Sequence, residues 1–395
     1  MLSKYTGKAM LIILIDAFSK TYLSKEFTPF IYNLSKHGIN THIEPLFAFK
    51  GIETTIFTGE WPNVHNVWTE FCFLNSPLQN KNSMMFKNAI RAIDSLPFGD
   101  LKPKLRFAVE KLIFQKSHKT PNLIPAEATD FVQASQFKDI TEHGAVGKIQ
   151  TVFDVFRERG VRYVFIEPWI RGDAGVLRKV KKLINQDHSF DFWYLKLNHL
   201  DHMGHKFGPS PSLFIQQLKK IDAYVEEIVT LLRKNNPNLN ILILSDHGMS
   251  EVHKGINILG DLQQLRSLIY KDYVVFADST MLRFQFFSEK AKQEVHEYLR
   301  QREYGHVLSL SEKKLLKIPL NPKYGQTVFA MDEGYIVNPC FFHSNYVKGM
   351  HGFANPKTPE AFPILILNHN ITQNFQISKQ FSYSDIAQII LSCFS

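Results

Sequence analysis

Leu11-Ile12-Ile13-Leu14-Ile15-Asp16 is an unbroken apolar run that ends on an acid, and its reading decides the fold. Two further runs repeat the pattern. Tyr194-Leu195-Lys196-Leu197 leads to Asp201-His202-Met203-Gly204-His205, and Ile241-Leu242-Ile243-Leu244 leads to Ser245-Asp246-His247-Gly248-Met249. A fourth piece, Gly349-Met350-His351-Gly352, comes late. Short continuous apolar runs are the mark of parallel strands buried on both faces. They predict an α/β fold, a three-layer sandwich with a mixed, mostly parallel central sheet and helices on both faces. In such sheets ligands bind beyond the carboxyl ends of the strands. Aspartate and neutral histidine gathered there are metal ligands, so the pattern points to a metalloenzyme.

The bulk properties agree with a globular chain. Its 395 residues suggest one large domain with an insertion, or two domains. A hydrophobic content of 44% supplies an ample core and excludes a disordered chain. The 33 phenylalanines read as core filling, with an aromatic-lined pocket as a second use. The formal charge of +9 could steer anionic partners, but a solvated basic surface is the plainer reading. No basic run interleaved with aromatics marks a nucleic-acid motif. Cys72, Cys340 and Cys393 lack metal-site spacing and give no disulfide framework. The run Ala9 to Ile15 ends on Asp16 without a signal-peptide cleavage pattern, and no stretch reaches the roughly 20 apolar residues of a transmembrane helix. A cytoplasmic location is the expectation.

Along the chain, residues 9–16 and 39–45 read as strands around a helix opened by Thr28-Pro29-Phe30 and stopped at Gly38. Gly51 to Phe57 reads as a short helix. Residues 72–147 break the alternation and read as an irregular helical insertion. Within it, Lys104 to Phe114 forms a basic amphipathic helix, expected to pack on the domain in preference to lying on a membrane surface. Alternation resumes with a helix over Thr151 to Arg159, strands at Tyr163 to Ile166 and Phe190 to Leu197, a long helix over Pro211 to Lys234, and a strand at 240–245. Residues 260–345 read as a second irregular block with strand-like pieces at 273–277, 281–287 and 326–330. Phe362 to Leu367 reads as a last core strand. The expected organisation is a core of 1–71 and 148–395, with 72–147 inserted and 260–345 partly a cap near the strand ends.

Each candidate ligand has a plainer alternative. Asp201 and His205, four apart, share one face of a helix start and can reach one ion, or they are an N-cap and a solvent-facing imidazole. Asp246 and His247 can both ligate if the chain turns at Gly248, or they are turn residues. Asp16 alone reads equally as a cap, and His351 alone as an ordinary loop histidine.

Together the pieces are far more specific. With Thr28-Pro29-Phe30, Phe57-Thr58-Gly59, Pro62, His65 and the stretch Asp201 to Pro209, the chain resembles the alkaline phosphatase superfamily, in its type I phosphodiesterase/nucleotide pyrophosphatase branch. The resemblance implies an alkaline-phosphatase-like sandwich with a cap insertion. It also implies two divalent ions, zinc with manganese as the alternative. Asp201, His205 and His351 would hold one, and Asp16, Asp246 and His247 the other. Two ions about 4 Å apart clamp a phosphoryl group and stabilise both attacking and leaving oxygens.

One position departs from the family. Its threonine or serine nucleophile stands nine residues before the threonine of the Thr-Gly pair, which in this chain is Phe49. An asparagine that often follows the His-Gly step is replaced by Glu70. Three explanations compete. Thr54 or Thr55 could attack from a shifted register, although each lies more than one helical turn away. Water could attack directly, with Lys50 and the first N–H groups of the helix receiving the phosphate; this ranks first. Hydrolysis could have been lost. The expected function is a metal-dependent phosphoric ester hydrolase acting on a phosphodiester or nucleotide pyrophosphate in a small-molecule substrate. The alternatives are an inactive metal-stabilised binder of a phosphorylated ligand, and a phosphomonoesterase or transferase of the same superfamily.

Overall fold

The computed structural model describes residues 9–48, 50–75, 81–96, 102–113, 122–168, 172–186, 190–372 and 381–395. At its centre is a six-stranded sheet in the order Ile39–His42, Ile364–Leu367, Asn240–Leu244, Met10–Ile15, Phe192–Leu197, Tyr163–Ile166. The last four are mutually parallel, and Ile364–Leu367 runs antiparallel to both its neighbours. The expected strands are therefore present, with ends trimmed by up to three residues.

Alternation of side chains across the pleat explains the three layers. Met10, Ile12 and Leu14 point to one face and pack with Phe57, Phe153, Phe192 and Tyr194. Leu11, Ile13 and Ile15 point to the other and pack under Leu218, Ile221, Val225 and Ile228 of the helix Pro211–Asn235. Both faces are covered, so the strand sequence is apolar throughout instead of alternating. Each such side chain contributes about 1.5–3 kcal/mol through burial. That long helix is kinked at Phe214, whose φ of −136° is non-helical.

The block 260–345 is more regular than expected, and its strand-like pieces at 273–277, 281–287 and 326–330 are strands of one sheet. It contains a four-stranded antiparallel sheet in the order Tyr273–Ala277, Met281–Phe286, Thr327–Met331, Gly305–Val307, with the helix Glu289–Arg300. Its own apolar core includes Phe276, Phe284, Val295, Leu299 and Phe329. Arg283 lies fully buried in a strand of this sheet. Its Nε donates to Asp278 Oδ2 at 3.0 Å, its Nη1 to the carbonyl of Phe71 at 2.9 Å, and its guanidinium stacks 4.6 Å from the centre of the Phe276 ring.

The stretch 72–147 is bracketed by the pairing of Phe71–Phe73 with Val132–Ala134 and holds the helices Lys81–Asp94 and Lys102–Ile113. The latter matches the basic amphipathic pattern, whose last residue, Phe114, lies outside the described residues. Its inward side is polar, contrary to expectation. Arg106 and Glu110 are buried and ion-paired at 2.6 Å, while Leu105 and Leu112 are exposed. Among the described residues no helix is long and apolar enough to cross a membrane.

Candidate metal centre

The carboxyl ends of three parallel strands deliver the first ligands. Leu14 is in register with Leu244 on one side and Lys196 on the other, so Asp16 and Asp246 emerge level with each other, on the same face. Ser245 clasps the turn that follows: its hydroxyl donates to the carbonyl of His247 at 2.6 Å and accepts from Phe18 N–H at 2.8 Å. The Tyr383 hydroxyl reaches the carbonyl oxygens of Ser245 and Asp246 at 3.0 and 2.5 Å from the opposite side.

Asp201 and His205 lie one turn apart on the helix His199–Phe207. Asp201 is not its N-cap. The carboxylate of Asp173 performs that task from another helix, accepting from the N–H groups of Asn198 and His199 at 2.9 and 3.3 Å. This frees Asp201 to face the cleft. The helix lies against the strand Gly349–Met350, where a Cβ on Gly349 would stand 2.4 Å from the carbonyl oxygen of Gly204. Only glycine permits that approach, and it brings His351 to the site.

The histidines are aimed by backbone carbonyls. His205 Nδ1 lies 2.8 Å from Gly349 O, and His247 Nδ1 lies 2.9 Å from Gly248 O. A carbonyl accepts only from N–H, so Nδ1 carries the proton in each, and Nε2 is presented to the cleft. This is the support that ligating imidazoles need. His205 Nε2 is 3.3 Å and His351 Nε2 3.6 Å from Asp201 Oδ1, and His247 Nε2 is 3.2 Å from Asp16 Oδ1. The rings of His247 and His351 stack with centres 3.4 Å apart and planes within 7°.

All six expected ligands thus line one cleft of about 650 Å³. The donor atoms of Asp16, Asp246 and His247 lie within 4.8 Å of one another, as do those of Asp201, His247 and His351. His247 stands at the junction of both groups, and His205 joins the second through Asp201. The buried Oδ1 atoms of Asp201 and Asp16 have no hydrogen bond. A buried carboxylate oxygen left so is costly unless a cation reaches it. The donor set around Asp201 therefore fits a divalent ion, with mixed oxygen and nitrogen chemistry suited to zinc or manganese.

The electrostatics differ across the cleft. Burial pushes His247 down, but the carboxylates of Asp246, Asp16 and Asp201 outweigh it and hold the ring at about 10. Burial, with His247 and His205 nearby, holds His351 well below the usual histidine range. Burial raises Asp201, with His205 opposing. Burial would also raise Asp16, yet Lys196 and His247 hold its carboxyl well below the ordinary value.

Lys196 is the residue that sequence reasoning passed over. Its ammonium lies 2.9 Å from Asp16 Oδ2 and 3.0 Å from Asp246 Oδ2. The signal was available: it is the lone charge in the run Phe192–Leu197, on the face carrying Phe192 and Tyr194.

The residues expected to supply the attack are placed elsewhere. Phe49 lies outside the described residues. Thr54 and Thr55 are buried in the helix Gly51–Thr58 and do not line the cleft, which corrects the covalent route proposed through them. Thr55 is further locked. His65 Nδ1 accepts from Val67 N–H at 3.1 Å, so the ring's proton is on Nε2, which lies 3.0 Å from Thr55 Oγ1, and that hydroxyl donates to Gly51 O at 2.9 Å. His65 is a donor to Thr55 and cannot deprotonate it. Lys50 is ion-paired with buried Glu70 at 3.3 Å, which ties the residue next to Phe49 in sequence to the position where the family often has asparagine. They line a small side cavity that shares Ser279, Phe342, Met350 and His351 with the main cleft. On the cleft wall, the Ser279 hydroxyl is 2.9 Å from His343 Nε2, whose Nδ1 is 3.1 Å from the carbonyl of Asn345.

The model of the type I phosphodiesterase/nucleotide pyrophosphatase family matches residues 10–354. The chain belongs to that family. Murine ectonucleotide pyrophosphatase/phosphodiesterase 5, solved as an inactive variant in complex with AMP, is similar at a TM-score of 0.66 and 14% identity, over 98% of this chain and 94% of that one. The human counterpart gives 0.65 and 15%. The architecture is thus the alkaline-phosphatase-like sandwich that the strand pattern and its resemblance implied. Ectonucleotide pyrophosphatase/phosphodiesterase 1 of Saccharomyces cerevisiae is 24% identical over 310 residues, 68% of this chain and 37% of that protein. GPI ethanolamine phosphate transferase 2 of Schizosaccharomyces pombe is 30% identical over 118 residues, 28% of this chain and 16% of that protein. The chain spans well under half the length of these curated relatives.

Proposed function

We propose that the chain is a metal-dependent phosphoric ester hydrolase acting on a phosphodiester or pyrophosphate linkage. The observation that carries this is the convergence of Asp16, Asp201, His205, Asp246, His247 and His351 on one cleft at the strand ends, in a member of this family. Asp201, His205 and His351 would hold a divalent ion. When bound, it supplies Lewis-acid activation of the attacking oxygen and neutralises charge on the phosphoryl group. The carbonyls of Gly349 and Gly248 keep His205 and His247 in their ligating tautomer. Lys196 adds a fixed positive charge on the floor of the cleft, suited to the phosphoryl oxygens' developing charge. Phe342, Tyr346 and Val347 form an apolar wall for the esterified group. With Thr54 and Thr55 away from the cleft and Lys50 paired to Glu70, water is the attacking group. The AMP held by the similar murine protein supports a nucleotide ester as the substrate class.

The test is hydrolysis of bis-p-nitrophenyl phosphate by the purified chain with zinc or manganese. Turnover that disappears in His351→Ala supports the reading. A folded protein that binds phosphorylated ligands but turns over none of a phosphodiester, pyrophosphate and phosphomonoester panel would make it a binding protein instead.

A second reading is transfer of the phosphoryl group to an alcohol other than water. Two observations favour it: the local match to a GPI ethanolamine phosphate transferase, and the Ser279–His343 pair on the cleft wall. Formation of a phosphate ester when ethanolamine is added to the hydrolysis assay distinguishes transfer from hydrolysis.

A further inference from the structure

Two donor groups converge in the cleft, and they are not equivalent. In both groups a buried carboxylate oxygen, Oδ1 of Asp201 or of Asp16, has no hydrogen bond and faces imidazole nitrogen, but around Asp201 no cationic side chain of lysine or arginine stands among the described residues. Around Asp16 and Asp246, a cation is already in place. The Lys196 ammonium bridges the Oδ2 atoms of both carboxylates, and the second oxygen of Asp246 accepts from the N–H of His247 at 3.2 Å. Its seat is built by the sheet. Lys196 is in register with Leu14, which is in register with Leu244, and all three side chains share one face. Its stem therefore lies in an apolar row and its head can rise only toward the two acids one step beyond.

We propose that this centre holds one divalent ion, on Asp201, His205 and His351, and that Lys196 takes the place of the second. The proposal rests on the metal-centre reading above and changes its stoichiometry. Charge supports it. Counting only the carboxylates, the ion and the ammonium, three negative charges are balanced by one divalent ion and one ammonium. Two divalent ions beside the same ammonium would leave an excess of two positive charges in a buried site, where repulsion is poorly screened. An ion at the usual ligand distance of about 2 Å from Asp16 and Asp246 would also compete for the oxygens that Lys196 bridges.

The experiment counts ions and does not depend on turnover. Wild type, Lys196→Met and Lys196→Gln are stripped with a chelator, reloaded with zinc, desalted and analysed for metal per chain by mass spectrometry, with circular dichroism to confirm folding. One ion per wild-type chain and two in either folded variant is the expected result. Two ions in the wild type, or one in all three proteins, overturns the proposal while leaving the metal centre intact. No ion in any of them overturns the metal centre itself. If neither variant folds, zinc titration of the wild type by calorimetry decides alone, a stoichiometry of one supporting the proposal and two refuting it.

Discussion

Gly349→Ala should weaken metal binding without unfolding the chain. A Cβ at this position would stand 2.4 Å from the carbonyl oxygen of Gly204 and 2.9 Å from Met249 Cγ and Sδ. Comfortable contact needs about 3.5 Å, so the helix His199–Phe207 and the strand Gly349–Met350 must separate by about 1 Å. The bond from His205 Nδ1 to Gly349 O, 2.8 Å long, spans that gap and would stretch with it. Metal–ligand distances tolerate only about 0.2 Å, and loss of an orienting contact typically costs 10–100-fold in affinity. Overpacking itself costs about 1–3 kcal/mol, which a domain with this much core survives. Competition for zinc against a chromophoric chelator measures the affinity, and thermal unfolding monitors the fold. An unchanged zinc affinity in folded Gly349→Ala would refute the claim that this close approach positions His205.

Four further outcomes follow from the geometry. Lys50→Met should destabilise by about 1–3 kcal/mol in denaturant titration, because buried Glu70 loses its ammonium partner; adding Glu70→Met should recover most of the loss. His65, lowered by burial to about 4 from 6.5, stays neutral in the folded chain. The unfolded chain gains a proton there first, so stability falls as pH drops from 6.5 to 4, by up to about 1.4 kcal/mol per unit; the slope of unfolding free energy against pH should be shallower in His65→Gln. Zinc at 100 times its Kd should add about 2.7 kcal/mol of stability, lost on chelation and absent in Asp201→Asn, read by urea midpoints. Ser279→Ala should leave hydrolysis within a few-fold if water attacks, whereas loss of ethanolamine transfer alone would assign the Ser279–His343 pair to acceptor handling.

Legibility in the sequence followed physical locality. The parallel strands could be read because double-sided burial forces continuous apolar runs, and the acids because they close those runs at the one end where such sheets bind ligands. Three strands of the antiparallel sheet near residue 280 were legible as the pieces at 273–277, 281–287 and 326–330, but the short Gly305–Val307 and the joining of all four into one sheet were not. Arg283 occupies an interior position of Met281–Phe286, held by Asp278 and the Phe71 carbonyl, contacts that no local pattern announces. Pairings across long separations, Lys50 with Glu70 and Ser279 with His343, leave no periodic trace. Lys196 was readable but unread: a charge within a buried strand demands a partner, and the register places two acids above it.

The departures from the family pattern argue against simple decay of an old site. Phe49 and Glu70 stand where the family has its nucleophile and often an asparagine. The parts that serve only to orient the remaining donors are intact. Asp173 caps the helix that carries Asp201, and two carbonyls fix the tautomers of His205 and His247. None of these contacts requires the buried Asp201 Oδ1 to remain without a hydrogen bond, and that atom costs the fold stability. A chain released from metal chemistry would gain by replacing Asp201 with an apolar side chain or by turning a donor toward it. The arrangement instead spends stability on an open donor set beside a fixed ammonium, which is what the proposed one-ion phosphate site needs.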